Sequence, residues 1–289
     1  MTDTLFIGDR TYSSWSLRAW LCFEGFGLSV GTKTVPFSAD ISVPDQIAHL
    51  APARTVPVLV TADGAIIPDS LAIAEEVATR YPEAGLCPSD PALRALARSL
   101  AAEMHSSFAA LRNACPMDLR RAYAGVTPTP EVRADLARIE VLWTHALERS
   151  GGPWLCGAYS VADAFFAPVA GRIAGYGLSV GETAANYVAQ HLADPAFRRW
   201  RAMGLVSGED LPWYAQSYAT TPWPGPALRP ARAVKAGPAE NAACPYSGKP
   251  VTRYLEMDGR VYGVCNAFCR DKTVADPEAW PEFMALVDH

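Results

Sequence analysis

No segment of this chain is apolar for long enough to cross a bilayer, which takes about 20 consecutive apolar residues. Basic charge is not in excess either, since 25 Lys and Arg stand against 30 Asp and Glu, a formal net charge of −5. A duplex or an anionic membrane surface attracts the opposite sign, so neither nucleic acid nor membrane is an expected partner. The opening residues, MTDTLFIGDRTYSSW, lack the charged and apolar regions of a secretory leader, and the default expectation is a soluble cytoplasmic protein. No internal repeat is visible. The 7 cysteines are an odd number in a chain without an export signal. That argues against a disulfide framework and in favour of free thiols and metal ligands.

What the chain does have begins near its C-terminus. Cys244, Cys265 and Cys269 lie in CPYSGKPVTRYLEMDGRVYGVCNAFC, a Cys-x20-Cys-x3-Cys spacing with a Gly-Lys-Pro turn after the first cysteine and a Val-Tyr-Gly-Val strand before the second. Thiolates are soft metal ligands, and tetrahedral sites draw them from two loops clamped on one ion. A module of roughly 45 residues buries too little apolar surface to stand unaided, so a metal staple is expected. The segment resembles the small treble-clef domains called YHS or TRASH, which implies these three cysteines as ligands, with zinc the expected ion. The fourth place stays open between Asp271, His289 and solvent, because Ser247 stands where a zinc ribbon carries the second cysteine of Cys-x2-Cys. The alternative is a metal-free module packed by Tyr254, Tyr262, Phe268, Trp280 and Phe283.

Upstream, the first 80 or so residues alternate strand and helix. Leu5-Phe6-Ile7 reads as a strand, and Tyr12-Ser13-Ser14 caps a helix carrying Leu17, Trp20 and Leu21 at helical spacing. Further strands are expected at Thr32–Val35, at Thr55–Val60 and, after an Asp63-Gly64 turn, at Ala65–Ile67. Asp69-Ser70 then caps a helix that Pro82 stops. From Pro91 to about Leu205 the pattern is helical throughout, with Asp90 and Thr129 capping before prolines and Ser160–Asp163 forming a capping box with Asp in the acidic place. The expected domains are an α/β thioredoxin-like half at 1–82, an all-α helical bundle at 90–218, a Pro- and Ala-rich linker at 219–240, and a treble-clef-like metal module at 241–289.

The run YSSWSLRAW (Tyr12–Trp20), the Val56-Pro57 step, Asp69-Ser70 and the Ser160–Asp163 box together resemble the glutathione transferase superfamily, in its serine-type bacterial and zeta-like branches. The resemblance covers roughly residues 4–205. It implies a homodimeric transferase that conjugates the glutathione thiolate to a small electrophile, with a glutathione-dependent isomerase or thiol reductase on the same site, or a non-catalytic metal-sensing protein on the same scaffold, as the alternatives. A serine hydroxyl in the first helical turn would stabilise the glutathione thiolate by hydrogen bond and helix dipole. Alignment to a zeta-like SSCS motif selects Ser13, whereas counting back from Arg18 selects Ser14. Trp15 stands where zeta-type isomerases carry a cysteine, which weighs against maleylacetoacetate isomerisation as the specific activity without excluding it. The resemblance further implies Val56, beside a cis bond to Pro57, pairing with glutathione's backbone like an added strand, with Asp69 and Ser70 at a helix start for the γ-glutamyl group and His49 and Arg54 toward the glycyl carboxylate. His105, Phe108 and Arg112 are expected on one helical stripe lining the electrophile pocket. Cys22, Cys87, Cys115 and Cys156 read as small core residues.

Overall fold

Leu5, Phe6 and Ile7 and the run Val58-Leu59-Val60 are apolar enough to sit at the centre of a sheet, and they do. In the computed structural model, which describes residues 2–288, β1 (Thr4–Ile7) leads to α1 (Ser14–Glu24), β2 (Gly31–Thr34) and α2 (Val43–Gln46). β3 (Val58–Val60), β4 (Ile66–Pro68) and α3 (Ser70–Arg80) follow. The strands pair in the order β2-β1-β3-β4, β1 being parallel to β2 and antiparallel to β3, and β3 antiparallel to β4. This is the expected thioredoxin-like half-domain.

The helical half consists of α4 (Pro91–Ser106), α5 (Ala109–Ala114), the short strand β5 (Ala122–Ala124), α6 (Pro130–Ser150), α7 (Val161–Gly175) and α8 (Glu182–Ala193). Asp90 and Thr129 cap α4 and α6 as expected, accepting from Leu93 N at 2.8 Å and Val132 N at 3.3 Å. A helix apolar all round belongs in a core, and nearly every residue of α7 is buried. Asp163 accepts from both the N–H and the hydroxyl of Ser160 at 2.8 Å, so the α7 start is closed as the capping box foretold. The bundle is not helical throughout, because β5 pairs with β6 (Ala219–Thr221), a strand that falls inside the expected linker.

The chain divides into two compact units. The first runs to Leu192 and includes Asp210–Pro224; the second is built from Ala193–Glu209 and the chain from Gly225 onward. The second unit holds α9 (Pro195–Val206), β7 (Ala231–Val234), β8 (Arg253–Met257), β9 (Arg260–Val264), α10 (Ala267–Ala275) and α11 (Pro281–Val287). Its antiparallel sheet has the order β7-β8-β9. Thus the region read as a linker at 219–240 supplies one strand to each unit, and the cysteine module does not stand alone from residue 241. The reason lies in α9. Ala202 joins Leu255, Met257, Tyr262 and Phe283 in one core, and Arg198 forms a paired ion bridge to Asp276 at 2.9 and 2.7 Å. Tyr262, Trp280 and Phe283 are buried as expected, whereas Phe268 is exposed. The glycine within β9 is needed for space, because a Cβ on Gly263 would lie 2.4 Å from a methyl of Val251. Lys272 Nζ sits 3.4 Å from the Trp280 ring centre and 3.7 Å from that of Tyr246, a cation–π sandwich. No helix among the described residues is long and apolar enough to cross a membrane.

Because α9 shares its core with the C-terminal strands, Phe283→Ala should destabilise the second unit by about 3–5 kcal/mol. Hydrogen exchange should then show α9, β8 and β9 losing protection together, and retained protection in α9 alone would contradict this partition. In the first unit, burial pushes the His191 imidazole down to about 3 from the usual 6.5. The unfolded chain therefore binds that proton more tightly, so the contribution to stability is present above pH 6.5 and is lost as pH falls toward about 3. His191→Phe should flatten the fall of the urea midpoint across that window; an unchanged acid limb would mean that His191 is not the group responsible.

Candidate active site

The start of α1 is built by its own short polar side chains. Asp9 Oδ1 accepts from Thr11 N at 3.0 Å and from Thr11 Oγ1 at 2.8 Å, folding the turn that presents Ser13 as the helix cap. Ser13 Oγ donates to Ser16 Oγ at 2.8 Å and accepts from Ser16 N at 3.4 Å. Ser14 Oγ instead accepts from Arg172 Nη2 at 3.3 Å. Both serines are buried, and both line the same cavity. They differ in what is left over. The Ser13 proton is engaged within the cap, while the Ser14 proton is available, on an oxygen already polarised by a guanidinium.

Three arginines converge here. Arg18 on α1 is fully buried, its Nε donating to the Phe165 carbonyl of α7 at 3.1 Å while Nη1 and Nη2 have no partner. Arg172 on α7 donates to Cys115 O at 2.9 Å and Pro168 O at 3.3 Å as well as to Ser14. Arg112 on α5 leaves Nε and Nη1 buried and unpartnered. The Trp15 ring ties the group together, with the Arg18 and Arg112 guanidinium carbons 4.2 and 5.2 Å from its centre. Among the described residues none of the three meets a carboxylate at ion-pair distance. Burial holds Arg18 well below the usual arginine range, the charges of Arg172 and Arg112 lower it further, and the Asp69 carboxylate opposes this in part. Burial likewise brings Arg172 down to about 10. A charged group buried without its counter-ion is costly, and an incoming anion removes that cost.

Two adjoining cavities open on this charge. The larger, about 410 Å³, is lined by Tyr12, Ser13, Ser14, Phe37, Met117, Arg172 and Tyr214 among others. The smaller, about 290 Å³, is lined by Pro57, Asp69, Ser70 and His105. Trp15, Thr55, Val56 and Arg112 face both. The Val56–Pro57 bond is cis, as the resemblance implied. Asp69 has a φ of 97°, a conformation that non-glycine residues rarely adopt outside functional turns. There its Oδ1 accepts from Leu71 N at 2.7 Å and Ala72 N at 3.2 Å, and Oδ2 lies 3.4 Å from His105 Nε2. Ser70 Oγ is buried with no partner, at the first residue of an 11-residue helix, where the helix dipole favours an anion. The smaller cavity thus pairs an acceptor for an ammonium with donors for a carboxylate.

The structure brings together Ser13, Ser14, Trp15, Val56, Pro57, Asp69, Ser70, His105 and Arg112. It does not bring in His49 or Arg54, which are exposed and border neither cavity. Nor do His105, Phe108 and Arg112 share one helical stripe. α4 stops at Ser106, Ser107 is extended, and Phe108 turns left-handed at φ 61° to bury its ring 6.4 Å from that of Phe166. Tyr12, Thr55, Arg172 and Tyr214 were not anticipated. Arg172 had a signal, a lone charge inside the otherwise apolar run AFFAPVAGRIAGYG.

In the second unit the sulfurs of Cys244, Cys265 and Cys269 all lie within 4.8 Å of one another, those of Cys265 and Cys269 3.9 Å apart. The donor set suits a soft cation. Burial opposes ionisation of Cys244, but the backbone N–H groups of Cys265 and Tyr246 donate to its sulfur and bring it down to about 7. Burial, reinforced by the neighbouring Cys265, pushes Cys269 up to about 12. Ser247 Oγ donates to Cys265 Sγ at 3.4 Å, so it supports the cluster as a hydrogen-bond donor. Asp271 pairs with Arg270 at 2.7 Å and stays out of the cluster. His289 lies outside the described residues.

Residues 12–80 match the model of the glutathione S-transferase N-terminal domain. Over 195 residues the chain is 27% identical to a probable maleylacetoacetate isomerase of Caenorhabditis elegans, covering 65% of this chain and 87% of that protein. Among solved structures, a Burkholderia glutathione transferase homologue with bound glutathione superposes with a TM-score of 0.55 at 23% identity, covering 72% of this chain and all of that one. Glutathione transferase Omega 2S of Trametes versicolor, in complex with 2,4-dihydroxybenzophenone, does so at 0.52 and 24% identity, covering 69% and 94%. The fold outside the C-terminal module is that of the glutathione transferases.

Proposed function

We propose that this protein is a glutathione-dependent enzyme that joins or transiently adds the glutathione thiolate to a small, negatively charged electrophile. The observation that carries this reading is the set of three guanidinium groups around Ser14 and Trp15, none of which meets a carboxylate at ion-pair distance among the described residues. Glutathione occupies the smaller cavity, its γ-glutamyl carboxylate at Ser70 and the α3 start, its ammonium at Asp69 Oδ2, and its backbone along Val56. The sulfur then reaches the wall shared by both cavities. Ser14 donates its free proton to the sulfur, and the α1 dipole and Arg172 favour the thiolate over the thiol. In conjugation the thiolate forms a C–S bond with the electrophilic carbon while the leaving group departs with the bonding pair. Arg172 and Arg112 hold the electrophile's own negative charge.

A second reading is favoured by the relationship to a probable maleylacetoacetate isomerase together with the same positive cavity. Here the thiolate adds to a double bond, the resulting single bond rotates, and elimination returns glutathione. Trp15 offers no thiol to assist, so bound glutathione supplies the nucleophilic sulfur. Both readings use one site. A homodimer is carried by the resemblance alone. The three-thiol cluster is read as a structural site for a soft divalent ion, zinc by preference, held by Cys244, Cys265 and Cys269. When bound, the ion would neutralise converging thiolates and add its binding energy to the second unit.

Ser14→Ala should lower kcat on the order of a hundredfold and raise the pKa of bound glutathione. Ser13→Ala should cost about 1 kcal/mol of stability through the lost cap while leaving most turnover in place. The reverse pattern would assign the thiol donor to Ser13, and unchanged turnover in both would end the serine mechanism. For the cluster, elemental analysis of protein prepared without chelators should find close to one zinc per chain in wild type and none in Cys244→Ser. Metal-free wild type that still resists proteolysis in the second unit would show that aromatic packing alone suffices.

A further inference from the structure

Tyr12 stands next to Ser13 and Ser14, yet its polar atom is turned away from them. Its hydroxyl accepts the backbone N–H of Leu211 at 3.3 Å, and its ring stacks on that of Tyr214, with centres 4.5 Å apart and planes 27° from parallel. Leu211 and Tyr214 belong to Asp210–Pro224, a stretch of the first unit that comes after the helical bundle in sequence. Asp210 opens the stretch with ion pairs to Arg121 and, at 3.5 Å, to Arg120. Its far end pairs as β6 with β5, and Trp223 packs 3.6 Å from the position a Cβ on Gly175 would take. Between these fastenings, Tyr214 lines the larger cavity together with Ser14, Arg112 and Arg172. Both ends of the stretch also continue directly into the second unit, at Glu209 and Gly225.

We propose that Asp210–Pro224 is a fixed strap forming one wall of the second-substrate cavity, and that Tyr214 is its specificity-determining residue, its hydroxyl acting with Arg172 on an anionic group of the electrophile. This rests on the reading of the site as a glutathione site and names a determinant of its selectivity. The chemistry of the wall supports it. Asn113, Arg112 and Arg172 supply donors to the lining, Phe37, Pro116 and Met117 supply apolar surface, and Tyr214 adds a hydroxyl on a chain segment clamped at both ends. A hydroxyl on a pre-fixed segment needs little ordering to act, so its hydrogen bond is expressed in affinity. Burial and the Asp9 carboxylate push the Tyr214 phenol up, which keeps it a protonated donor, and the charge of Arg172 acts on it in the opposite sense. Tyr12 is then a positioning residue for the strap.

The test uses full-length protein, glutathione and two conjugates that fill both cavities, one formed with chlorodinitrobenzene and one with the carboxylate-bearing chloronitrobenzoate. Calorimetry should give Tyr214→Phe the wild-type affinity for glutathione, about wild-type affinity for the neutral conjugate, and roughly tenfold weaker binding of the carboxylated one, as a lost hydrogen bond to a charged group implies. Tyr214→Ala should weaken both conjugates, because the wall itself is lost. Should Tyr214→Phe leave the ratio of the two conjugate affinities at its wild-type value while glutathione still binds, the inference fails and the glutathione reading stands. Wild type that binds no glutathione at all would remove both.

Discussion

Positive charge buried with no carboxylate at ion-pair distance among the described residues is the constraint on which the first unit turns. Arg18 is driven into the interior by its place on the inner face of α1, and its one protein hydrogen bond goes to the Phe165 carbonyl on α7. That bond joins the two halves of the unit, while the remaining N–H groups stay unpaired. Arg172 reaches in from α7 and Arg112 from α5, each adding repulsion. Burying like charges together costs several kcal/mol unless an anion arrives.

The surrounding architecture serves that arrangement. The helix start at Ser13 lines the same cavity as Arg172 and Arg112, and the start of α3 at Asp69 and Ser70 lines the adjoining one. α7 can place Arg172 deep in the interior because the Asp163 cap and an almost wholly apolar surface fix that helix in the core. Trp15 spaces the charges with its ring and gives both cavities an aromatic wall. The second unit obeys a different constraint. It is small, and it combines a helix drawn from the bundle, a cation–π sandwich around Lys272 and a cluster of three thiols to reach a stable core.

Much of this was legible in the residues. Ser13-Ser14, Val56-Pro57, Asp69-Ser70 and the Ser160–Asp163 box are local devices, with caps and turns encoded by neighbours in sequence, and each lies where its pattern placed it. The spacing of Cys244, Cys265 and Cys269 likewise predicted three sulfurs brought together. What sequence could not convey is long-range. Arg172 touches Ser14 across 158 positions, and Tyr214 meets Tyr12 across a separation that no periodicity reports. The break at Ser107 and Phe108 was hidden by helix-forming neighbours, and only the burial of Phe108 against Phe166 decides it. His49 and Arg54 had charge and position in their favour, yet their loop points them to solvent. The Pro-rich segment read as a linker because prolines and alanines conceal two short strands whose partners lie elsewhere in the chain.

The claim at the centre of this account is that the site is built for an anion, and above all for sulfur in its ionised form. Ultraviolet titration of the thiolate of glutathione bound to the wild-type protein measures this directly. The account predicts an apparent pKa well below the value of about 8.5 typical of a free cysteine-type thiol. A bound thiol that titrates at its free value would contradict it, because then neither Ser14, the α1 dipole nor the buried guanidinium groups act on the sulfur.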